Sequence, residues 1–151
     1  MKRLPIKISV LFFGLLIVPI VSEALTIPRT TLGTVAYAAD AFTFFCPTGT
    51  TRAQFRVTDD INPTNTAVSI VASLSKDGSP TLTAIDNDNT TAPSALVTNA
   101  DGAGAYYVMV RKFASTSTAA SVMEDYKLEL FCLNSLNQVI GPSTYTTVHN
   151  Q

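Results

Sequence analysis

The chain has 151 residues, 46% hydrophobic and 14% charged, with a net charge of −1, two cysteines, one histidine and no tryptophan. That length suits one domain with a sizeable core. A single histidine, His149, excludes most histidine-based catalysis and histidine-rich metal sites, and two cysteines are too few for a zinc finger or a disulfide-dense scaffold.

The positive mean hydropathy of +0.26 is concentrated at the N-terminus. Lys2, Arg3 and Lys7 flank an apolar run from Ile8 to Val18, followed by Pro19, and Ser22 and Ala24 stand where a signal peptidase reads small residues. Continued to Val21, the run is still shorter than the ~20 apolar residues that span a bilayer. Residues 1–24 are therefore expected to be a cleaved secretory signal, with no cysteine beside the cleavage site for lipid attachment. Cleavage removes three basic residues and one acidic residue, and the 127-residue remainder has a net charge of −3. Those charges are scattered, with no basic block longer than Arg111-Lys112, so neither nucleic acid nor a membrane is an expected partner. The expected location is the periplasm or the extracellular space.

Residues 25–39 are less regular and contain Pro28. They read as a flexible leader or an edge strand able to pair with another chain. From Ala41 the pattern alternates with period two, the mark of half-buried strands. The strand expectations are Ala41–Cys46, Arg52–Asp59, Val68–Ser75, Leu82–Ile85, Tyr106–Arg111 and Tyr126–Cys132, with Val139–Ile140 and Tyr145–Val148 as shorter pieces. Turn formers separate them, among them Pro47-Thr-Gly49, Lys76-Asp-Gly-Ser-Pro80, Asp86-Asn-Asp-Asn89 and Gly141-Pro142. Ser115–Glu124 could hold a helical turn. The whole reads as an all-β protein, with residues 40–151 forming an antiparallel β-sandwich of jelly-roll or immunoglobulin-like type. An immunoglobulin proper is disfavoured because the chain lacks the tryptophan its core is built around.

Cys46 and Cys132 each end a strong strand on its apolar parity, so both thiols should face the interior. Export makes their oxidation possible. A bridge closing a loop of ~87 residues would stabilise by ~4–5 kcal/mol on the chain-entropy model. A redox or metal role would ask for cysteines close in sequence with an exposed thiolate, and these are neither.

For chemistry the chain offers less. His149 lies where a mobile tail is expected, not a general base. Asp59, Asp60, Asp86, Asp88, Asp101, Glu124 and Asp125 could serve a carboxylate-dependent hydrolase, but most of them read as turn residues. Asp86, Asp88 and Asn89 alternate oxygen donors in a manner suited to calcium, to be completed by Asp59, Asp60 or Asp101. The EF-hand positions that should be glycine and glutamate are Thr91 and Val97, so that motif is absent. Asn89-Thr90-Thr91 matches the N-glycosylation pattern. Tyr107 and Phe131 fall on the outward parity of their strands, where aromatics can bind a sugar or a protein.

Gly104-Ala-Tyr-Tyr-Val-Met-Val110 and Tyr126-Lys-Leu-Glu-Leu130, with Asp40-Ala-Phe-Thr-Phe44 and Ala53-Gln-Phe-Arg-Val57 before them, resemble strands of the bacterial pre-peptidase C-terminal domains. These are secreted β-sandwich modules often appended to peptidases. The acidic Asp-x-Asp strand of that family is not clearly present, although Asp86-Asn-Asp88 lies near its place. The resemblance implies a stand-alone accessory or interaction module.

The expected function is thus a non-enzymatic, exported binding or structural module with a protein or glycan partner and no cofactor. The alternatives are a small carboxylate-dependent hydrolase or accessory domain with a calcium site, and a surface subunit that self-assembles by donating the 25–39 segment as a strand. Convergence of the aspartates in one cleft would favour the first alternative.

Overall fold

The period-two runs become strands wherever apolar side chains recur on one face. In a computed structural model, which describes residues 23–35, 37–60, 68–88, 90–114 and 123–150, ten strands are present among the described residues. They are β1 (Leu25–Leu32), β2 (Ala39–Cys46), β3 (Arg52–Asp60), β4 (Val68–Ser75), β5 (Leu82–Asp86), β6 (Val97–Asn99), β7 (Gly104–Ala114), β8 (Glu124–Leu133), β9 (Val139–Gly141) and β10 (Tyr145–His149). The signal expected over residues 1–24 lies outside the described residues except for its last two. Most of the helical turn expected over Ser115–Glu124 also lies outside them, and Glu124 itself opens β8.

The strands form two antiparallel sheets packed as a sandwich. The first has the order β1-β8-β3-β6, with β9 also pairing β8, and the second has the order β10-β2-β7-β4-β5. The segment that read as irregular is in part an edge strand. Leu25–Leu32 pairs with β8 of its own chain, from Leu25 opposite Leu130 to Leu32 opposite Glu124. Its register shifts between Ile27 and Thr30, around Pro28, which has no N–H to give a ladder. β6 has no counterpart among the expectations, since three residues are too few to show alternation.

The core is the sum of the inward parities. Phe42 and Phe44 from β2, Phe55 and Val57 from β3, Ile70 and Leu74 from β4, Val108 and Val110 from β7, and Leu128 and Leu130 from β8 are all buried there. Cys46 of the second sheet and Cys132 of the first meet across this layer in a disulfide, with a Cα–Cα distance of 5.5 Å and an S–S distance of 1.97 Å.

The two poles of the sandwich differ. The disulfide pole carries a tight polar clasp. Tyr106 donates its hydroxyl to the Gly102 carbonyl (2.6 Å), and Lys76 Nζ reaches the carbonyls of Asp101 (2.5 Å) and Ala103 (2.6 Å). Gly104 makes room for that lysine: its φ is +132°, and a Cβ there would stand 3.1 Å from Lys76 Cε. The opposite pole holds a buried polar layer.

Candidate functional site

The outer faces of the two sheets are unlike. On the first sheet, β3 and β8 present paired polar side chains. Arg56 Nε donates to Glu129 Oε2 (2.6 Å) with its guanidinium 5.9 Å over the Phe131 ring, and Gln54 Nε2 donates to Thr98 Oγ1 (2.9 Å). Phe131, one of the two outward aromatics read from the sequence, is thus half-covered by an arginine.

The second sheet shows rings instead. Tyr107 on β7 is 39% exposed and Phe45 on β2 is 62% exposed, and Phe113 and Ile85 are also exposed. Across the register, Thr43 and Ser75 flank Tyr107 on either side, and Phe45 stands opposite Ala105. Because Thr43 and Ala105 are small, the surface sinks between the rings. One depression of about 400 Å³ runs from there over Ser75, Lys76, Asp77 and Gly78. A second, of about 200 Å³, runs the other way past Phe45 to Thr144, Tyr145 and Thr146. They share Thr43 and Ala105 and form one shallow trough with rings on its rim and hydroxyls on its floor. Its lysine is engaged in the clasp, 5.2 Å over the Tyr106 ring. Burial, reinforced by the charge of Asp101, pushes the Tyr106 phenol up to about 12. Asp101 itself is held below the usual carboxylate range, first by hydrogen bonds to Ser79 and Asn99 and then by Lys76.

The carboxylates go elsewhere. Asp59, the last residue of an expected strand, and Glu124, the last residue of the expected helical turn, are strand residues that face inward and are fully buried, and Asp86 closes β5 with only 3% exposure. The inward parity of β3 (Ala53, Phe55, Val57) ends on Asp59, and that of β8 begins at Glu124. Asp40, Lys112 and Tyr126 join them, all buried. Tyr126 donates its hydroxyl to Asp40 Oδ2 (2.7 Å), and Lys112 Nζ donates to the Gly33 carbonyl (2.7 Å). Asp86 ties the sheets together at this pole: its carboxylate accepts the backbone N–H of Asp59 (2.8 Å) and that of Asp88 (3.3 Å).

The electrostatics follow from that burial. Burial first, then the facing carboxyl of Glu124 and the charges of Asp86 and Asp88, push Asp59 up to about 8. Burial also raises Asp86, opposed by the two N–H groups it accepts. Burial lowers Lys112, opposed by the charge of Glu124, and pushes the Tyr126 phenol far up, aided by Asp40.

The proposed calcium ligands are therefore only partly brought together. Asp86 and Asp88 are neighbours, but Asp86 turns inward onto backbone N–H groups, and Asp88 accepts from Thr90 Oγ1 (2.5 Å). Asn89 and the side chain of Asp60 lie outside the described residues, and Asp101 sits at the other pole. Among the described residues no three His, Cys, Asp or Glu side chains are grouped so as to hold a metal ion. Asp125 lies near the layer in sequence, but it accepts a hydrogen bond from Thr31 across the β1–β8 pair. His149, read as a mobile tail, is the last residue of β10 and pairs with Ala41. The sequence reading did not single out Asp40 or Lys112. The signal was there for Lys112, since extending the Tyr106, Val108, Val110 parity by one step reaches it. No family model matches the chain, and no match to a curated protein was found.

Proposed function

We propose that the chain is an exported, non-enzymatic binding module that holds a glycan in the trough on the outer face of its second sheet. The trough itself carries this reading: two exposed rings, Tyr107 and Phe45, flank a floor of small and hydroxyl-bearing residues. Sugar rings present C–H faces that pack on aromatic rings and hydroxyls that exchange hydrogen bonds with Thr, Ser and Asp side chains. A shallow groove on a sheet suits a polymer laid along it better than a small molecule enclosed in a pocket. Export is supported by the basic and apolar pattern of residues 1–24 and by the buried disulfide, which an oxidising compartment favours. Binding is favoured over hydrolysis because the carboxylates that converge, Asp59, Asp86 and Glu124, are sealed from solvent on the inward faces of the sheets. The resemblance to pre-peptidase C-terminal domains points the same way, towards an accessory role.

The test is an amide-shift titration with soluble fragments of bacterial envelope and plant cell-wall polysaccharides. Shifts clustered on Thr43, Phe45, Ser75, Ala105 and Tyr107, with affinity reduced at least tenfold in Tyr107→Ala, are the expected outcome. Shifts centred on another face, or none across the panel, would refute the assignment.

A further inference from the structure

The buried layer at the pole opposite the disulfide poses a charge problem. Among the described side chains, Asp40, Asp59, Asp86 and Glu124 bring four carboxyl groups inside the sandwich, and Lys112 brings one ammonium. Asp40 is served by Tyr126 and Asp86 by two backbone N–H groups. Asp59 is served by nothing of the kind: no N–H or O–H of the described residues reaches either of its oxygens, and the group that faces it is the carboxyl of Glu124. The register explains the meeting. Asp59 pairs with Tyr126, and Glu124 is two residues further along the same inward face of β8, a diagonal neighbour across the ladder. Two ionised carboxylates are acceptors only and cannot bond to each other, so the contact is satisfied only when one of them carries a proton.

We propose that Asp59 retains its proton at neutral pH and donates it to the Glu124 carboxylate, making a proton-dependent latch that holds β3 to β8 and, through the Asp59 N–H, to Asp86 of β5. The surrounding groups agree with this placement. Glu124 feels the positive charge of Lys112 from β7, whereas Asp59 faces Asp86 and Asp88 from β5 and the turn after it. Tyr126 of β8 is engaged with Asp40 of β2. Among the described side chains, β1 brings Leu32 and the Thr30 hydroxyl, which hydrogen-bonds Tyr126, and β4 brings Val68 and Ile70, none of them titratable. Asp60 follows on β3, and residues 61–67 and 115–122 contain no titratable side chain.

The pH consequence has a definite sign. The folded pKa of Asp59 is raised above its unfolded value, so the folded state binds one proton more than the unfolded state across the interval between them. The contribution is fully present below about pH 4, is lost progressively up to about pH 8, and changes no further above that. Within this window one retained proton makes the unfolding equilibrium constant rise about tenfold per pH unit.

The experiment compares denaturant melts of the wild type and Asp59→Asn from pH 5 to 9, with infrared spectra of both at pH 7 and parallel melts in EDTA and in millimolar calcium. The amide introduced by that substitution can donate to Glu124 without a titrating proton. The expected result is a wild-type stability that falls more steeply with pH than the variant's, with the variant the more stable at pH 8. A protonated-carboxyl carbonyl band should be present in the native wild type and missing from the variant, with no effect of calcium. Equal pH slopes would overturn the latch. So would absence of the band from the native wild type, a reading that needs no variant to fold. Calcium stabilisation of the wild type that Asp59→Asn abolishes would also overturn it and assign the layer to a cation.

Discussion

Removing the disulfide tests whether the long loop it closes contributes as chain entropy predicts. Cys46 and Cys132 are 86 residues apart in sequence, on different sheets, and both are buried. In the unfolded chain the bridge forbids every conformation in which these positions are far apart, and for a loop of this size the lost entropy corresponds to ~4–5 kcal/mol at 25 °C. The double substitution Cys46→Ala/Cys132→Ala also deletes two buried sulfurs, at ~1 kcal/mol each if the core relaxes little. The expected loss is thus ~6–7 kcal/mol, the same order as the whole stability of many domains. Urea denaturation of the oxidised wild type and the double variant measures it. At a slope of ~2 kcal/mol/M the midpoint should fall by more than ~2 M, or the variant should be unfolded without urea. A loss below ~1 kcal/mol at an unchanged slope would refute the reasoning, because it would mean that the two strands stay near each other in the unfolded chain without the bridge.

Phe55→Ala, at a fully buried position of β3, should cost ~3–5 kcal/mol, whereas Phe45→Ala on the outer face should stay within ~0.5 kcal/mol in the same melts. Tyr126→Phe removes the hydroxyl that donates to the buried Asp40 carboxylate and should destabilise by ~1.5–3 kcal/mol in the same melts. A chain shortened to begin at Gly33 loses β1 and bares the β8 edge together with the apolar faces that Ile27 and Leu32 cover. It should aggregate or melt at lower temperature by size exclusion and calorimetry. An unchanged monomer of unchanged stability would show that β1 is not part of the fold's core.

The legible part of this fold is the part in which side chains alternate. Phe42-Thr-Phe44, Ala53 to Val57 and Tyr126 to Cys132 announce both their strands and their inward faces, and the parity of Cys46 and Cys132 announced the disulfide. Asp59, Glu124 and Lys112 were less legible for the opposite reason. Each continues an apolar parity with a charged residue, and a charged residue at the end of a run reads as the point where burial stops. Here burial continues by one step because the two sheets supply each other's polar partners, which only the packing reveals. The trough was half legible: outward parity placed Tyr107, but the sinking of the surface depends on Thr43 and Ala105 being small and adjacent across the β2–β7 ladder, a pairing that alternation alone does not encode.

The placement of these features along the strands separates two properties that a small domain would ordinarily couple. Ser75, Ala105, Phe45 and the Lys76 clasp all lie at the disulfide pole, where Cys46 pairs with Gly104 and Cys132 joins the sheets. The acid layer lies at the far ends of the same strands, with Asp40 near the start of β2, Lys112 near the end of β7 and Glu124 at the start of β8. Loss of the Asp59 proton should therefore loosen the sandwich from the acid pole inward, while the crosslink holds the trough in register. Local opening of this kind is drawn from the least-tied part of a structure. Between pH 5 and 8, amide exchange should quicken first at Asp59, whose N–H rests on Asp86, and little at Tyr107. Ligand affinity at the trough should stay within about twofold over the range in which global stability falls. If exchange quickened equally at both poles, the sandwich would be opening as one unit, and the crosslink would not be partitioning it.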